Sequence, residues 1–197
     1  MHLIIAKRIT ERLPIADKAS FLLGGLAPDS VSPKDLSHFF VGDSGDYSRS
    51  IDYLAFLEQY RAHAKHPYVL GYLAHLIADH LWLHGFYQPW LKNRMQADPD
   101  VLPLYHRDFR LLNGKLLEVY GYAETCREML NGPTTILDLQ EVTARDVEAF
   151  LPSVFEDMEY DQEAIHEHLH VFTWPQIIGY IETSVEKGLW ILKPMLT

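Results

Sequence analysis

Apolar residues along the chain recur mostly at three- and four-residue spacing, the period of helices that bury one face. There is no series of alternating apolar and polar positions bounded by hairpin turns, so the pattern does not favour β-strands. The sequence therefore predicts an all-α fold, with residues 1–197 forming one multi-helix bundle domain. The predicted helices span residues 3–13, 14–25, 47–64, 66–85, 104–130, 143–151, 153–170 and 174–192.

Helix-boundary residues support several of these limits. Pro14 at the start of the second helix and Gly24 or Gly25 at its end follow the known asymmetry of helix ends. Thr143 followed three residues later by Asp146 resembles a capping box. The sequence therefore predicts where these two helices begin.

Two segments are predicted to be loops. Residues 27–46 are rich in Pro, Ser, Asp and Gly, which is typical of irregular connections. Residues 88–103 are predicted to form a second loop, with a short helix near Trp90.

Composition narrows the classes of function. The formal net charge of −10 disfavours non-specific binding to a nucleic acid duplex or an anionic membrane. Cys126 is the only cysteine, so no intrachain disulfide is expected. No apolar run approaches the ~18 residues of a membrane span, and the N-terminal apolar run is too short for a secretion signal. A cytoplasmic protein is the simplest expectation.

The most informative segment covers residues 71–84, which place three histidines and one aspartate in an apolar stretch. On a helix, His75 and Asp79 are four residues apart and project from one face. Burying a carboxylate in such a helix is costly unless something neutralises it. An imidazole and a carboxylate so placed are good ligands for a zinc-like ion.

The loop before the third predicted helix supplies two further candidate ligands, Asp29 and His38. Two imidazoles and two carboxylates suit zinc, and also Mn²⁺ or Fe²⁺. Structural zinc sites usually use cysteine thiolates, so this thiolate-free set indicates catalysis rather than a structural role.

Three segments carry a resemblance to a known family: residues 21–29 (FLLGGLAPD), His38-Phe39, and residues 70–79 (LGYLAHLIAD). They resemble the zinc-dependent phospholipase C family, which is related to the single-strand-specific zinc nucleases. The resemblance covers about residues 1–125, and the order Asp, then His, then His-x-x-x-Asp is its specific part. It implies an all-helical fold and a multi-zinc centre that hydrolyses phosphodiester bonds. The expected substrate is a small-molecule phosphodiester or a phospholipid head group.

The resemblance also implies ligands for two ions. Asp29, His38, His75 and Asp79 would hold one zinc, and Asp79 would bridge to a second. The family's second zinc takes a terminal amine and an early histidine, for which His2 is the match.

A third zinc in the family uses a histidine shortly after the His-x-x-x-Asp aspartate, followed by a His-x-x-x-Glu pair. His84 fits the first part, whereas no matching pair follows; His106 and Asp108 are the nearest candidates. The resemblance therefore leaves between one and three ions open.

The remaining histidines and aromatic residues have simpler interpretations. His80 and His84 are four residues apart and form either a separate site or part of a polar layer. Residues 166–170 are interpreted as a polar helix face. Four aromatic residues are interpreted as core and rim packing or, alternatively, as an apolar substrate wall: Trp82, Phe86, Tyr87 and Trp90.

The predicted chemistry is metal-assisted hydrolysis by an activated water, with Asp29 and Asp79 as catalytic carboxylates and Asp29 as general base. An HD-type phosphohydrolase is disfavoured because Asp79-His80 reverses the required order. Two alternatives stay open. One is a helical metal-dependent hydrolase or transferase acting on a non-phosphate substrate, such as a thiol transferase with a three-histidine site. The other is a non-catalytic metal-binding or interaction protein.

Overall fold

A computed structural model describes residues 1–196 of the chain. Its α-helices are α1 (His2–Arg12), α2 (Lys18–Gly24), α3 (Tyr53–Gln59), α4 (Pro67–Trp82), α5 (Lys92–Ala97), α6 (Val101–Tyr120), α7 (Ala123–Asn131), α8 (Ala144–Asp157) and α9 (Trp174–Leu192). Two strands, β1 (Phe40–Val41) and β2 (Ser50–Ile51), pair antiparallel. A π-helix covers Leu83–Leu91. Short 3₁₀ turns cover Ala27–Ser30, Arg61–His63, Ala164–His166 and Lys193–Met195. The all-α prediction is confirmed.

Helix α4 is the centre of the fold. Every residue from Tyr68 to Ala78 is buried, and α1, α2, α3 and α9 pack around it. A helix that is apolar on all sides is stable only when others cover it. The helix that carries the predicted His75/Asp79 pair therefore also lies at the centre of the core.

Two glycines let α2 and α4 approach backbone to backbone. A Cβ on Gly24 would overlap the carbonyl oxygen of Tyr68, and a Cβ on Gly71 would overlap that of Phe21. Side chains at either position would push the helices apart. This close approach brings the end of α2 next to the face of α4 that carries His75.

The second and third helices, α2 and α3, begin later than predicted. Asp17, rather than Pro14, marks the start of α2, because its carboxylate accepts a hydrogen bond from the Ser20 amide. In the same way Asp52 caps α3 by accepting from the Ala55 amide. The residues before Asp52 form β2 instead of helix, since they pair with β1.

Helix α4 ends at Trp82, close to the predicted end near Gly85, but the chain stays helical through Ala97. The prediction of a loop over residues 88–103 was therefore wrong for most of its length, apart from the short helix near Trp90. The chain passes from α4 through the π-helix directly into α5. The wider π-helical turn accommodates Pro89, which has no amide hydrogen to donate. No helix within residues 1–196 is both long enough and apolar enough to cross a membrane.

Two further boundaries were wrong. The long helix predicted over residues 104–130 is two helices, α6 and α7, separated at Gly121, whose φ of 65° ends α6 in the left-handed conformation. The two helices predicted over 143–151 and 153–170 are instead the single helix α8, which continues through Pro152, followed by irregular chain. The Thr143/Asp146 capping box and the last helix are present as predicted.

Candidate metal centre

The fold brings five of the predicted residues together: His2, Asp29, His38, His75 and Asp79, called here the His–Asp cluster. α4 supplies His75 and Asp79, and α1 supplies His2. Asp29 lies on the 3₁₀ turn after α2, and His38 lies at the end of the following loop. His38 and His75 are 98% buried, whereas about a quarter of each aspartate side chain stays exposed. The cluster is therefore anchored by its imidazoles and open at its carboxylates.

The spacing of the polar atoms resembles that of metal ligands, in two groups that share His75: Asp29, His38 and His75, and His2, His75 and Asp79. The Nε2 atoms of His38 and His75 are 3.3 Å apart. His38 Nε2 lies 3.5 Å from Asp29 Oδ1 and 3.2 Å from Asp79 Oδ2, and His75 Nε2 lies 3.5 Å from Asp79 Oδ2. Four ligands at zinc-like bond lengths of about 2.1 Å are separated by about 3.4 Å. The donor set therefore fits a zinc-sized cation.

The imidazole tautomers also fit a cation. His75 Nδ1 is 2.9 Å from the Gly25 carbonyl, and His38 Nδ1 is 3.2 Å from the Lys34 carbonyl. Since a carbonyl only accepts, both Nδ1 atoms donate, and in neutral rings both Nε2 atoms carry lone pairs. Two lone pairs facing each other beside two carboxylates repel, unless a cation or a proton lies between them.

The loop that carries His38 is fastened to α4. The Tyr72 hydroxyl donates to the Ser37 carbonyl at 2.6 Å, and the Ser37 hydroxyl donates to the Pro28 carbonyl at 2.9 Å. Phe39, the next residue, has a positive φ of 51°, a conformation that is rare for bulky residues. Its ring packs against Phe56 in the core, which helps to hold this turn in place.

The ionisable side chains of the cluster shift one another's pKa. Burial disfavours a charged His38, but its hydrogen bonds to Asp29 and Asp79 outweigh this effect and raise its pKa to about 9. Burial also acts against the Asp79 carboxylate, yet His2 and His75 together hold its pKa well below the usual range. Burial likewise acts against the Asp29 carboxylate, yet His75 and the hydrogen bond from His38 hold its pKa well below the usual range, so both aspartates are ionised at neutral pH, as metal ligation needs.

His2 meets the other oxygen of Asp79. His2 Nε2 lies 3.0 Å from Asp79 Oδ1, and its ring stacks on His75 with 3.7 Å between ring centres. His2 Nδ1 is buried and, among the residues that the structure describes, has no hydrogen-bond partner. The two oxygens of Asp79 therefore face different imidazoles, which is the arrangement of a carboxylate able to bridge two ions.

The remaining candidate ligands lie elsewhere. The His84 ring lies against that of His80, tilted by 36° with 4.2 Å between ring centres, and its Nδ1 donates to the His80 carbonyl. His106 lines the cavity beside the cluster. Asp108 is fully buried and accepts hydrogen bonds from three successive backbone amides, His170 to Phe172. None of the three joins the groups of potential ligands found in residues 1–196.

The histidines predicted to lie on a polar helix face over residues 166–170 do not lie on a long helix. His166 ends a 3₁₀ turn, and His168 and His170 belong to irregular chain. The buried Asp108 carboxylate holds the backbone amides of this segment, and amides bound in this way cannot take part in a helical hydrogen-bond ladder.

A cavity of about 500 Å³ opens beside the carboxylates of Asp29 and Asp79. Its walls come from α1, α6, α8 and α9 and are mostly apolar or aromatic. The predicted aromatic group divides between two roles: Trp82 lines the cavity, whereas Phe86 and Trp90 pack behind it against Phe172. The aromatic residues of the wall are Trp82, Tyr105, Phe109, Phe150 and Tyr180.

Several residues of the site escaped the sequence analysis. The Gly25 carbonyl, which orients His75, is a backbone group, so no side-chain chemistry in the sequence indicated its role. Lys34 forms an ion pair with Asp29, with Nζ 2.5 Å from Oδ1, and its position between Asp29 and His38 was a usable signal. Arg110 lies one helical turn after His106 and also lines the cavity, so that spacing could have indicated it.

A comparison with known families matches residues 1–116 to a family model described as zinc-dependent phospholipase C. No curated protein and no solved structure matches the chain. The matched stretch covers more than half of the 197 residues, contains the whole His–Asp cluster and ends within α6. The buried imidazoles and ionised carboxylates are compatible with zinc. The chain belongs to the zinc-dependent phospholipase C family.

Proposed function

We propose that this protein is a metal-dependent hydrolase, a phosphodiesterase of the phospholipase C type with its centre in the His–Asp cluster. The observation that carries the proposal is the spacing of 3.2–3.5 Å among carboxylate oxygens and the Nε2 atoms of His38 and His75, beside an open cavity that Asp29 and Asp79 line. A buried ion without an open side would indicate a structural role. Here the partly exposed carboxylates leave one side of the cluster accessible to substrate.

The proposed first ion site consists of Asp29, His38, His75 and Asp79. The proposed second site uses the other oxygen of Asp79 with His2, which explains why the two oxygens of Asp79 face different histidines. His84 has no part in either site, because among residues 1–196 it lies outside both groups of potential ligands. We therefore propose up to two ions, with zinc preferred on the donor set.

Zinc bound there supplies Lewis acidity, which lowers the pKa of a water toward 7 and neutralises charge on the phosphoryl group. The residues of the chain set the geometry for this chemistry. Asp29 accepts the proton of the attacking water as that oxygen bonds to phosphorus and the bond to the leaving alkoxide breaks. The alkoxide takes a proton from solvent. The Gly25 and Lys34 carbonyls keep the imidazoles in the correct tautomer through the reaction.

The shape of the cavity suggests the substrate class. A volume of about 500 Å³ falls within the usual range for small-molecule sites. Walls of Leu, Ile, Phe and Trp side chains would favour a phosphodiester with an apolar portion, such as a phospholipid, over a highly charged polymer. The net charge of −10 also disfavours a nucleic acid duplex.

The test combines metal content with turnover. Protein purified without a chelator or a histidine tag is analysed by elemental mass spectrometry, beside hydrolysis of bis-p-nitrophenyl phosphate. We expect one to two zinc ions per chain, with turnover that a chelator removes and added zinc restores. His75→Ala should lose both metal and turnover. Metal bound tightly without turnover on any phosphodiester would contradict the proposal and favour a non-catalytic metal-binding protein.

Asp29→Ala separates the proposal from a three-histidine transferase site. Under the proposal this variant loses a ligand and its general base, so turnover should fall by at least about a hundredfold. A site built on His2, His38 and His75 alone would keep its metal and its activity. Full activity of Asp29→Ala would therefore overturn the phosphodiesterase assignment.

A further inference from the structure

One face of α6 lines the cavity that residues of the His–Asp cluster also line. His106, Phe109, Arg110 and Asn113 follow one another at helical spacing, and all of them contact the cavity that Asp29 and Asp79 also line. If roughly spherical, a cavity of this volume is about 10 Å across, so a small ligand held at the cluster would fill most of it. The α6 face and the carboxylates of the cluster therefore border the same space.

Arg110 is an arginine without a partner on this face. Within residues 1–196 its guanidinium forms neither an ion pair nor a hydrogen bond, and the side chain is exposed. Asp157, an acidic group in the same wall, is engaged by Asn113, and Asp29 is paired with Lys34. The carboxylates of the cavity thus already have partners, which leaves the Arg110 guanidinium available to a ligand.

Arg107 provides the contrast on the same helix. It lies three residues earlier, points away from the cavity and pairs with Glu167. Its ion pair is an ordinary surface interaction. The two arginines therefore differ in environment while sharing the helix, the charge and the exposure.

We propose that Arg110 binds the non-bridging oxygens of the substrate's phosphoryl group from the side opposite the His–Asp cluster. The planar guanidinium matches phosphate oxygens with two parallel hydrogen bonds, which an ammonium group cannot reproduce. The ligand class is a phosphate monoanion or diester, and Arg110 selects for it over uncharged esters. This assignment rests on the proposed function, since it takes the cluster to be the place where the phosphoryl group is held.

The experiment compares Arg110→Met with Arg107→Met in the zinc-loaded protein. Binding of inorganic phosphate is measured by titration calorimetry, beside kcat and KM for bis-p-nitrophenyl phosphate, zinc content and melting temperature. For Arg110→Met we expect phosphate binding about tenfold weaker or more and KM raised by a similar factor, with zinc content and melting temperature unchanged. Arg107→Met should stay within about twofold of the unsubstituted protein in every measurement.

Arg110→Lys keeps the charge but loses the paired hydrogen bonds, so its phosphate affinity should fall between those of the other two proteins. Phosphate affinity of Arg110→Met within twofold of the unsubstituted protein, while that protein still hydrolyses the diester, would overturn the Arg110 assignment alone. Failure of the unsubstituted protein to bind zinc or phosphate would overturn the proposed function together with it.

Discussion

Asp79 and Asp108 are both aspartates held largely out of solvent on the long helices α4 and α6, but they are neutralised in different ways. Asp108 accepts hydrogen bonds of 2.7–3.1 Å from the successive backbone amides of His170, Val171 and Phe172, and its Oδ1 also lies 3.4 Å from His170 Nδ1. Asp79 instead faces the imidazoles of His2, His38 and His75. Backbone amides always donate, whereas the His38 and His75 Nε2 atoms that face Asp79 donate only while they carry a proton.

This difference separates a structural carboxylate from a candidate metal ligand. Three backbone amides in a row form a positive concavity that neutralises Asp108 without an ion. The residue thereby fastens the irregular chain after α8 to α6. The carboxylate of Asp79 and the lone pairs around it need a cation or protons to be stable together. Burial alone does not distinguish a structural Asp108 from a candidate ligand Asp79. The chemical identity of the groups around each carboxylate does.

The largest expected effect comes from Asp79→Asn. The substitution keeps the size of the side chain and removes the charge shared by both proposed ion sites. We expect loss of at least about a hundredfold in turnover together with loss of bound zinc, because even residues that only support a ligand contribute ten- to a hundredfold. Elemental analysis and diester hydrolysis measure both. Retention of zinc and activity would remove the distinction between Asp79 and Asp108.

Asp108→Asn should act on stability instead. An amide oxygen replaces only part of the acceptor capacity of the carboxylate, and the amide NH₂ group would face backbone donors. We expect the free energy of unfolding of the chelator-treated protein to fall by about 2–4 kcal/mol, measured by urea denaturation. The zinc-to-protein ratio of the folded variant should stay the same. A loss of zinc without destabilisation would mean that Asp108 is a metal ligand after all.

Gly71→Ala tests whether the helix contact that orients His75 matters to the cluster. A methyl group here overlaps the Phe21 carbonyl and forces α2 and α4 apart. We expect the free energy of unfolding to fall by about 1–3 kcal/mol and zinc to bind more weakly, because the Gly25 carbonyl moves away from His75 Nδ1. The control is Gly179→Ala on α9, where no atom lies within 4 Å of the added methyl group. Equal effects of the two substitutions would contradict the role of the close contact.

The smallest expected effect is that of His84→Ala. The resemblance assigned His84 to a third ion, but its ring lies against that of His80 and its Nδ1 atom donates a hydrogen bond to the His80 carbonyl. We therefore expect zinc content and turnover to stay within about twofold of the unsubstituted protein, since the lost contact is an exposed one. A clear drop in zinc per chain would place a further ion at His80 and His84.

Residues close in sequence carried most of what could be predicted. The all-α class followed from helical periodicity, and His75 and Asp79 share a face because four residues make about one helical turn. The capping box at Thr143 is equally local. Some errors fell where the outcome depended on distant partners, since Asp108 holds backbone amides about 60 residues away. Others were local: helical periodicity did not reveal the end of α6 at Gly121 or the start of α2 at Asp17.

The sequence by itself determined the helical class, the spacing of His75 and Asp79, and the supply of Asp29 and His38 from one loop, because all three depend on short-range geometry and residue chemistry. Only the tertiary structure decided which histidines meet. His2 joins the cluster because α1 packs against α4. His84 lies outside the cluster, with its ring against that of His80. Long-range packing places side chains to within the few tenths of an ångström that ligand geometry requires, and no periodicity along the chain encodes those distances.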